Sequence, residues 1–215
     1  MAQIFPKWTN KLPLILVVGT LIVLATVVLL IWWFGSPKYT DVGYQPKQPV
    51  PYSHKLHAGD LDIDCRYCHT TVETAATASL PPTQTCMNCH QLILPESKKL
   101  LPVRESWATG KPMEWVRVHK VPDYAYFNHS AHINAGVGCA SCHGNVAEME
   151  IVRLVEPLSM SWCIDCHRNP TPHLRPMSEV TNMKWTPSAN QVELAHQYLT
   201  ERNIQPSEDC SACHR

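Results

Sequence analysis

The segment YSHKLHAGDLDIDCRYCH, residues 52–69, decides how this chain is read, because its plan recurs. FNHSAHINAGVGCASCH, residues 127–143, repeats it: an aromatic residue, then H-x-x-H, a short spacer, and C-x-x-C-H. In each copy a second C-x-x-C-H follows, 21 residues on from Cys65 at Cys86 and 24 on from Cys139 at Cys163. The chain therefore reads as one two-site module used twice, residues 52–100 and 119–170, with a fifth site added at 210–214.

The five pentapeptides are Cys65 to His69, Cys86 to His90, Cys139 to His143, Cys163 to His167 and Cys210 to His214, and the cysteines are Cys65, Cys68, Cys86, Cys89, Cys139, Cys142, Cys163, Cys166, Cys210 and Cys213. C-x-x-C-H is the signature of covalent c-type haem attachment. Two thiols add to the two vinyl groups of one porphyrin, and the histidine that follows is held beneath the ring as an iron ligand. A zinc ribbon needs C-x-x-C pairs but no histidine after each. A thioredoxin-like redox pair would occur once, and a disulfide framework has no use for this spacing. All ten cysteines are consumed and all five pairs end in histidine. Five haems c are expected, with His69, His90, His143, His167 and His214 as proximal ligands.

Seven histidines remain of twelve. His54 and His57 form the first H-x-x-H, His129 and His132 the second. Residues three apart on a helix share a face, so two imidazoles there can serve two haems and pin them together. These four are expected as distal ligands, and His119, which leads into the second module, as the fifth. His173 and His196 are weaker candidates. Met149 and Met160 are sulfur alternatives, which would raise the potential of the haem they serve.

Outward from the modules, Leu12 to Phe34 is a run of 23 uncharged residues. A helix of that length spans roughly 34 Å, against a hydrocarbon core of roughly 30 Å. It is longer than a signal-peptide apolar region and lacks a small-x-small site after it, so a retained anchor is expected. Lys7 and Lys11 precede it, which sets residues 1–11 as a cytoplasmic stub. Residues 35–51, rich in Pro and Gly, read as an extended linker, and 52–215 as the periplasmic haem domain. Net charge is zero, with 18 basic and 18 acidic residues, so nothing marks a nucleic-acid partner. With three Phe against 18 Pro, the side chains alone make a thin core. The expected fold is mainly α and irregular, packed around haems, behind one transmembrane helix.

The stretches VRVHKVPDYAYFNHSAH (116–132), LSMSWCIDCHR (158–168), CSACHR (210–215) and SHKLHAGDLDIDCRYCH (53–69) resemble the pentahaem cytochrome subunit of bacterial alternative complex III. That family is similar to the class III multihaem cytochromes, whose H-x-x-H histidines are distal ligands. The resemblance implies an electron-carrying subunit without substrate chemistry of its own, in a bacterial inner-membrane complex. There an integral subunit oxidises quinol, and an iron–sulfur subunit and this one pass electrons to a monohaem cytochrome c or a terminal oxidase. Two rivals stand beside it. One is a membrane-anchored quinol dehydrogenase of the NapC/NrfH type, which carries four haems. The other is a multihaem reductase, which needs an iron with an open position.

Overall fold

The computed structural model describes residues 4–214. Residues 1–3 of the expected stub and Arg215 of the expected haem domain lie outside that range. The chain divides into two compact units, Met1–Val42 and Gly43–Arg215.

In the first unit a 3-10 turn, Lys7–Lys11, leads into α1, Leu12–Phe34, the apolar run seen in the sequence. Pro13 sits in its opening turn, where a missing N–H costs no hydrogen bond. The hydroxyl of Thr26 donates to the carbonyl of Ile22 at 2.8 Å, so no polar atom of the side chain stands bare on an apolar helix. The continuous helix Lys7–Phe34 is long and apolar enough to cross a membrane, and none of its apolar window is buried. Ser36 follows, and a one-turn helix, α2, Pro37–Thr40, opens on a proline.

The second unit is built from short helices: α3 Cys65–Cys68, α4 Thr83–His90, α5 Leu101–Thr109, α6 His129–Ala135, α7 Ala140–His143, α8 Met160–Arg168, α9 Gln191–Glu201 and α10 Cys210–Cys213. Among the described residues there is no strand, only the isolated bridges Ala125↔His214 and Val137↔Leu174. Helices of one to three turns do not persist alone in water, so tertiary contacts must hold them. The side-chain core that does so is small. Met87 on α4 packs with Val103 on α5 and with Val50, under Cys86, Leu100, Met113 and Trp115. Leu174 and Ala195 are fully buried elsewhere.

Two sequence expectations meet a different local structure. Residues 35–51 are not an extended linker throughout. Past α2, Gly43 N–H donates to Leu154 O at 2.8 Å, Leu154 N–H donates to Tyr44 O at 3.0 Å, and the Gln48 amide bonds both backbone groups of Val116. Val50 is buried at the end of this stretch, so its backbone and its side chain both gain partners from the folded unit. The second difference lies in the first H-x-x-H. The second copy starts α6, capped by Asn128, whose side-chain oxygen accepts from Ala131 N–H, and closed by Gly136 at φ +93°. The first copy is a wider turn, Lys55–Asp60, with Leu61 N–H reaching Leu56 O at 2.9 Å. Gly59 there lies against the carbonyl of Ala147, where a Cβ would collide.

Asp64 ties the first attachment turn to its surroundings. Its carboxylate caps α3 by accepting from Arg66 N–H at 2.8 Å, accepts Arg66 Nε at 2.8 Å and Nη2 at 3.0 Å, and takes the Thr181 hydroxyl at 2.9 Å. Those bonds, that to the Arg66 side chain first, hold its carboxyl down to about 2. A depressed carboxylate stabilises the fold above its ordinary unfolded value near pH 4, and the contribution fades as pH falls towards 2. The pair is half exposed, so screening keeps it modest. Asp64→Ala is expected to cost about 1 kcal/mol at pH 7, mostly as a lost cap, and nothing measurable at pH 2. Thermal denaturation at the two pH values reads the difference.

Candidate functional site

Each C-x-x-C-H lies on a helical turn, at α3, the end of α4, α7, α8 and α10. The turn places both cysteines of a pair, three residues apart, on one face. No disulfide joins any of the ten cysteines. Burial, foremost, pushes Cys139 up to about 11 and Cys142 up to about 12, and raises Cys65, Cys68, Cys86, Cys163 and Cys166 as well. Burial thus favours the neutral thiol over the thiolate in these seven. Among the described residues no group of three or more His, Cys, Asp or Glu is placed to hold a metal ion by itself.

The histidines share a second feature. Nδ1 of His69 lies 2.9 Å from Ser79 O, that of His90 2.9 Å from Ile93 O, that of His167 2.6 Å from Ser207 O, and that of His214 3.2 Å from Tyr124 O. Among the expected distal ligands, His57 pairs in the same way with Ser53 O at 2.8 Å, His129 with Ala76 O at 3.0 Å and His132 with Asn128 O at 2.8 Å. A carbonyl only accepts, so in all seven Nδ1 carries the proton and Nε2 keeps a free lone pair. That is the tautomer a metal ligand requires, with its ring already aimed. His119 keeps Nε2, and His54 keeps Nδ1, buried with no partner. Burial holds His54 and His119 down to about 4 and His143 down to about 3, and lowers His132, so these rings are neutral at pH 7.

The two modules repeat in space as they do in sequence. Tyr52 meets His54 edge-on at 4.8 Å and stacks on His57 at 4.5 Å; Phe127 meets His129 edge-on at 4.7 Å and lies over His132 at 4.5 Å. His57 then stands 6.2 Å from His90, and His132 stands 6.1 Å from His167. Metal–imidazole bonds of about 2 Å on opposite sides of one ion put ring centres about 6 Å apart. Between His132 and His167 lies a cavity of about 390 Å³, lined also by Cys166 and by apolar Ala131, Val137 and Leu174. These residues fit a thioether-linked tetrapyrrole with an imidazole on each face.

The other candidates are less evenly placed. His143 has His119 at 4.2 Å, too close for a shared metal, and His129 at 6.5 Å. His54 has His69 as its foremost charged neighbour. His214 lies 5.8 Å from Tyr124. Met149 is buried, whereas Met160 is exposed one turn before Cys163 on α8. His196 is exposed and His173 half-buried. Electrostatic contacts also order the attachment turns. Cys68 neighbours Cys86 and Cys65, Cys139 neighbours Cys65, Cys142 neighbours Cys166 and Cys163, and Cys163 neighbours Cys213. The turns run second, first, third, fourth, fifth. The sequence reading found the cysteines and histidines but not the carbonyls that aim the imidazoles, which belong to residues without a motif.

Residues 125–215 match the family model of cytochrome c7 and related cytochromes c. That stretch is similar to cytochrome c7-like multihaem domains. Over 127 residues the chain is 35% identical to the multihaem cytochrome c subunit of menaquinone reductase from Nitratidesulfovibrio vulgaris, a match covering 57% of this chain and 56% of that subunit. The chain thus spans about half the length of the curated relative it matches.

One residue beside the third attachment turn yields a packing prediction. Arg175 is 5% exposed, with its guanidinium 4.4 Å over Trp185, Nη1 donating to Asn182 O at 3.1 Å, and no partner for Nε. It fits only because residue 138 is glycine, since a Cβ there would strike the guanidinium. Gly138→Ala is expected to cost about 1–3 kcal/mol by overpacking, read as a lowered Tm.

Proposed function

We propose that this chain is an electron-relaying pentahaem cytochrome, anchored in a bacterial inner membrane by α1, within a quinol-oxidising assembly of the alternative complex III type. The observation that carries it is the repeated geometry at the two modules: aromatic residue, H-x-x-H, and a distant C-x-x-C-H histidine about 6 Å from the second of the pair.

In this reading the ten cysteines hold five haems, and His69, His90, His143, His167 and His214 are proximal ligands. His57 serves the iron of His90, His132 that of His167, and His54 that of His69. His119 and His129 both stand beside His143, and the iron of His214 draws on the one released, with Met149 and Met160 as sulfur alternatives. Bound haem supplies a reversible one-electron centre whose potential follows its axial ligands and burial. The chain's own work is to keep each imidazole neutral and aimed, to close the faces of the rings with Tyr52 and Phe127, and to set the five turns in series. No residue is assigned a catalytic role. Lys7 and Lys11 ahead of α1 put the N-terminus in the cytoplasm and the haem domain in the periplasm.

The partners are an integral quinol-binding subunit, an iron–sulfur subunit and a monohaem cytochrome c, with a terminal oxidase as a further acceptor. The name of the matched relative favours a second direction of flow, in which the series delivers electrons towards menaquinone. Isolation from native membranes followed by mass spectrometry separates these from a self-sufficient quinol dehydrogenase. The three partners are expected to co-purify. A chain that runs alone and oxidises a menaquinol analogue unaided would contradict the assembly.

The pairing has its own test. His57→Ala and His132→Ala are each expected to keep the haem count and to turn one haem from low-spin to high-spin in EPR. A spectrum unchanged in both variants contradicts it.

A further inference from the structure

We propose that Arg202 receives a carboxylate of the tetrapyrrole held by Cys163 and Cys166. This rests on the haem reading above and adds to it the group that meets the anionic edge of one ring.

The cavity between His132 and His167 is walled mostly by apolar and amide side chains, and Arg202 is the one permanently charged residue on it. Arg202 is clipped in place on one side. Its Nη1 donates to Ala135 O at 3.0 Å and to Arg175 O at 3.2 Å, and its guanidinium lies 4.3 Å over Tyr198. Gly136 makes the clip possible, since at φ +93° it leaves the space that a Cβ would take from Arg202. The carbonyls use one nitrogen of the fork. Among the described residues no carboxylate forms an ion pair with Arg202, and Nε and Nη2 have no protein partner.

A guanidinium presents donors in a planar fork that matches a carboxylate two-on-two. Here that fork is half-buried and oriented, sits on the wall of a cavity and lacks an anion. A purely structural arginine would not need its free edge at the cavity. A haem brings two carboxylates, and Cys166 on the same wall fixes which haem it is. A cation beside such a ring disfavours the ferric form, so it raises the potential of that centre by simple Coulomb interaction.

The test is a spectroelectrochemical titration of the membrane-extracted protein with haem counted by pyridine haemochrome. Arg202→Gln is expected to keep five haems and to shift one midpoint of the five downward. Arg202→Lys, which keeps the charge but not the fork, should shift the same component by less. Five haems with every midpoint unchanged in the glutamine variant would overturn the proposal, as would a lowered Tm with no shift. Should the glutamine variant fail to assemble, Arg202→Met, which also removes the charge, decides by the same readout. A haem count below five in the unmodified protein would instead overturn the reading beneath it.

Discussion

The constraint on which the folded unit depends is the tie between imidazole Nδ1 and a backbone carbonyl. It is made seven times. Each tie fixes a tautomer, turns one ring, and leaves the Nε2 lone pair free. At His119 the Nε2 is buried with no partner, and a bare acceptor inside a protein costs free energy. A metal ligated at Nε2 removes that cost. The side-chain core is thin as well: one cluster around Met87 and Val103 and a few separate buried residues cannot offset the ordering of so many loops and one-turn helices. Flat apolar rings bound between the imidazoles would supply the missing surface.

The arrangement also explains the economy of the modules. One aromatic side chain, Tyr52 or Phe127, touches both histidines of an H-x-x-H, meeting the first edge-on and lying over the second. The second histidine of each pair reaches past its own attachment turn to the next one along the chain. Short helices that would not persist alone are thereby knitted through their histidines. The fourth and fifth turns are joined more directly, by His167 on Ser207 O and by Arg168 with Glu208 at 2.8 Å.

Much of this was legible in the sequence, and the reasons are physical. The apolar run Leu12 to Phe34 contains no competing signal, and its helix has those same bounds. C-x-x-C-H carries its own geometry, because a helical turn is the conformation that brings its cysteines to one side. What could not be read was whatever depends on partners distant in the chain. The first H-x-x-H opens into a wide turn because Gly59 meets Ala147, far along the sequence. Residues 43–50 look like a spacer until Leu154 and Val116 are seen to bond them. Arg202 has no motif, and its place on the cavity wall emerges only once Ala135 and Arg175 clip it.

The central claim is that this polypeptide folds around thioether-linked haem at all five turns. Pyridine haemochrome quantitation against protein concentration, paired with the intact mass of the denatured chain, tests it most directly. Five equivalents, surviving denaturation as added mass on the 24.3 kDa polypeptide, is the result expected. Fewer than five, or a mass equal to that of the bare chain, would contradict it.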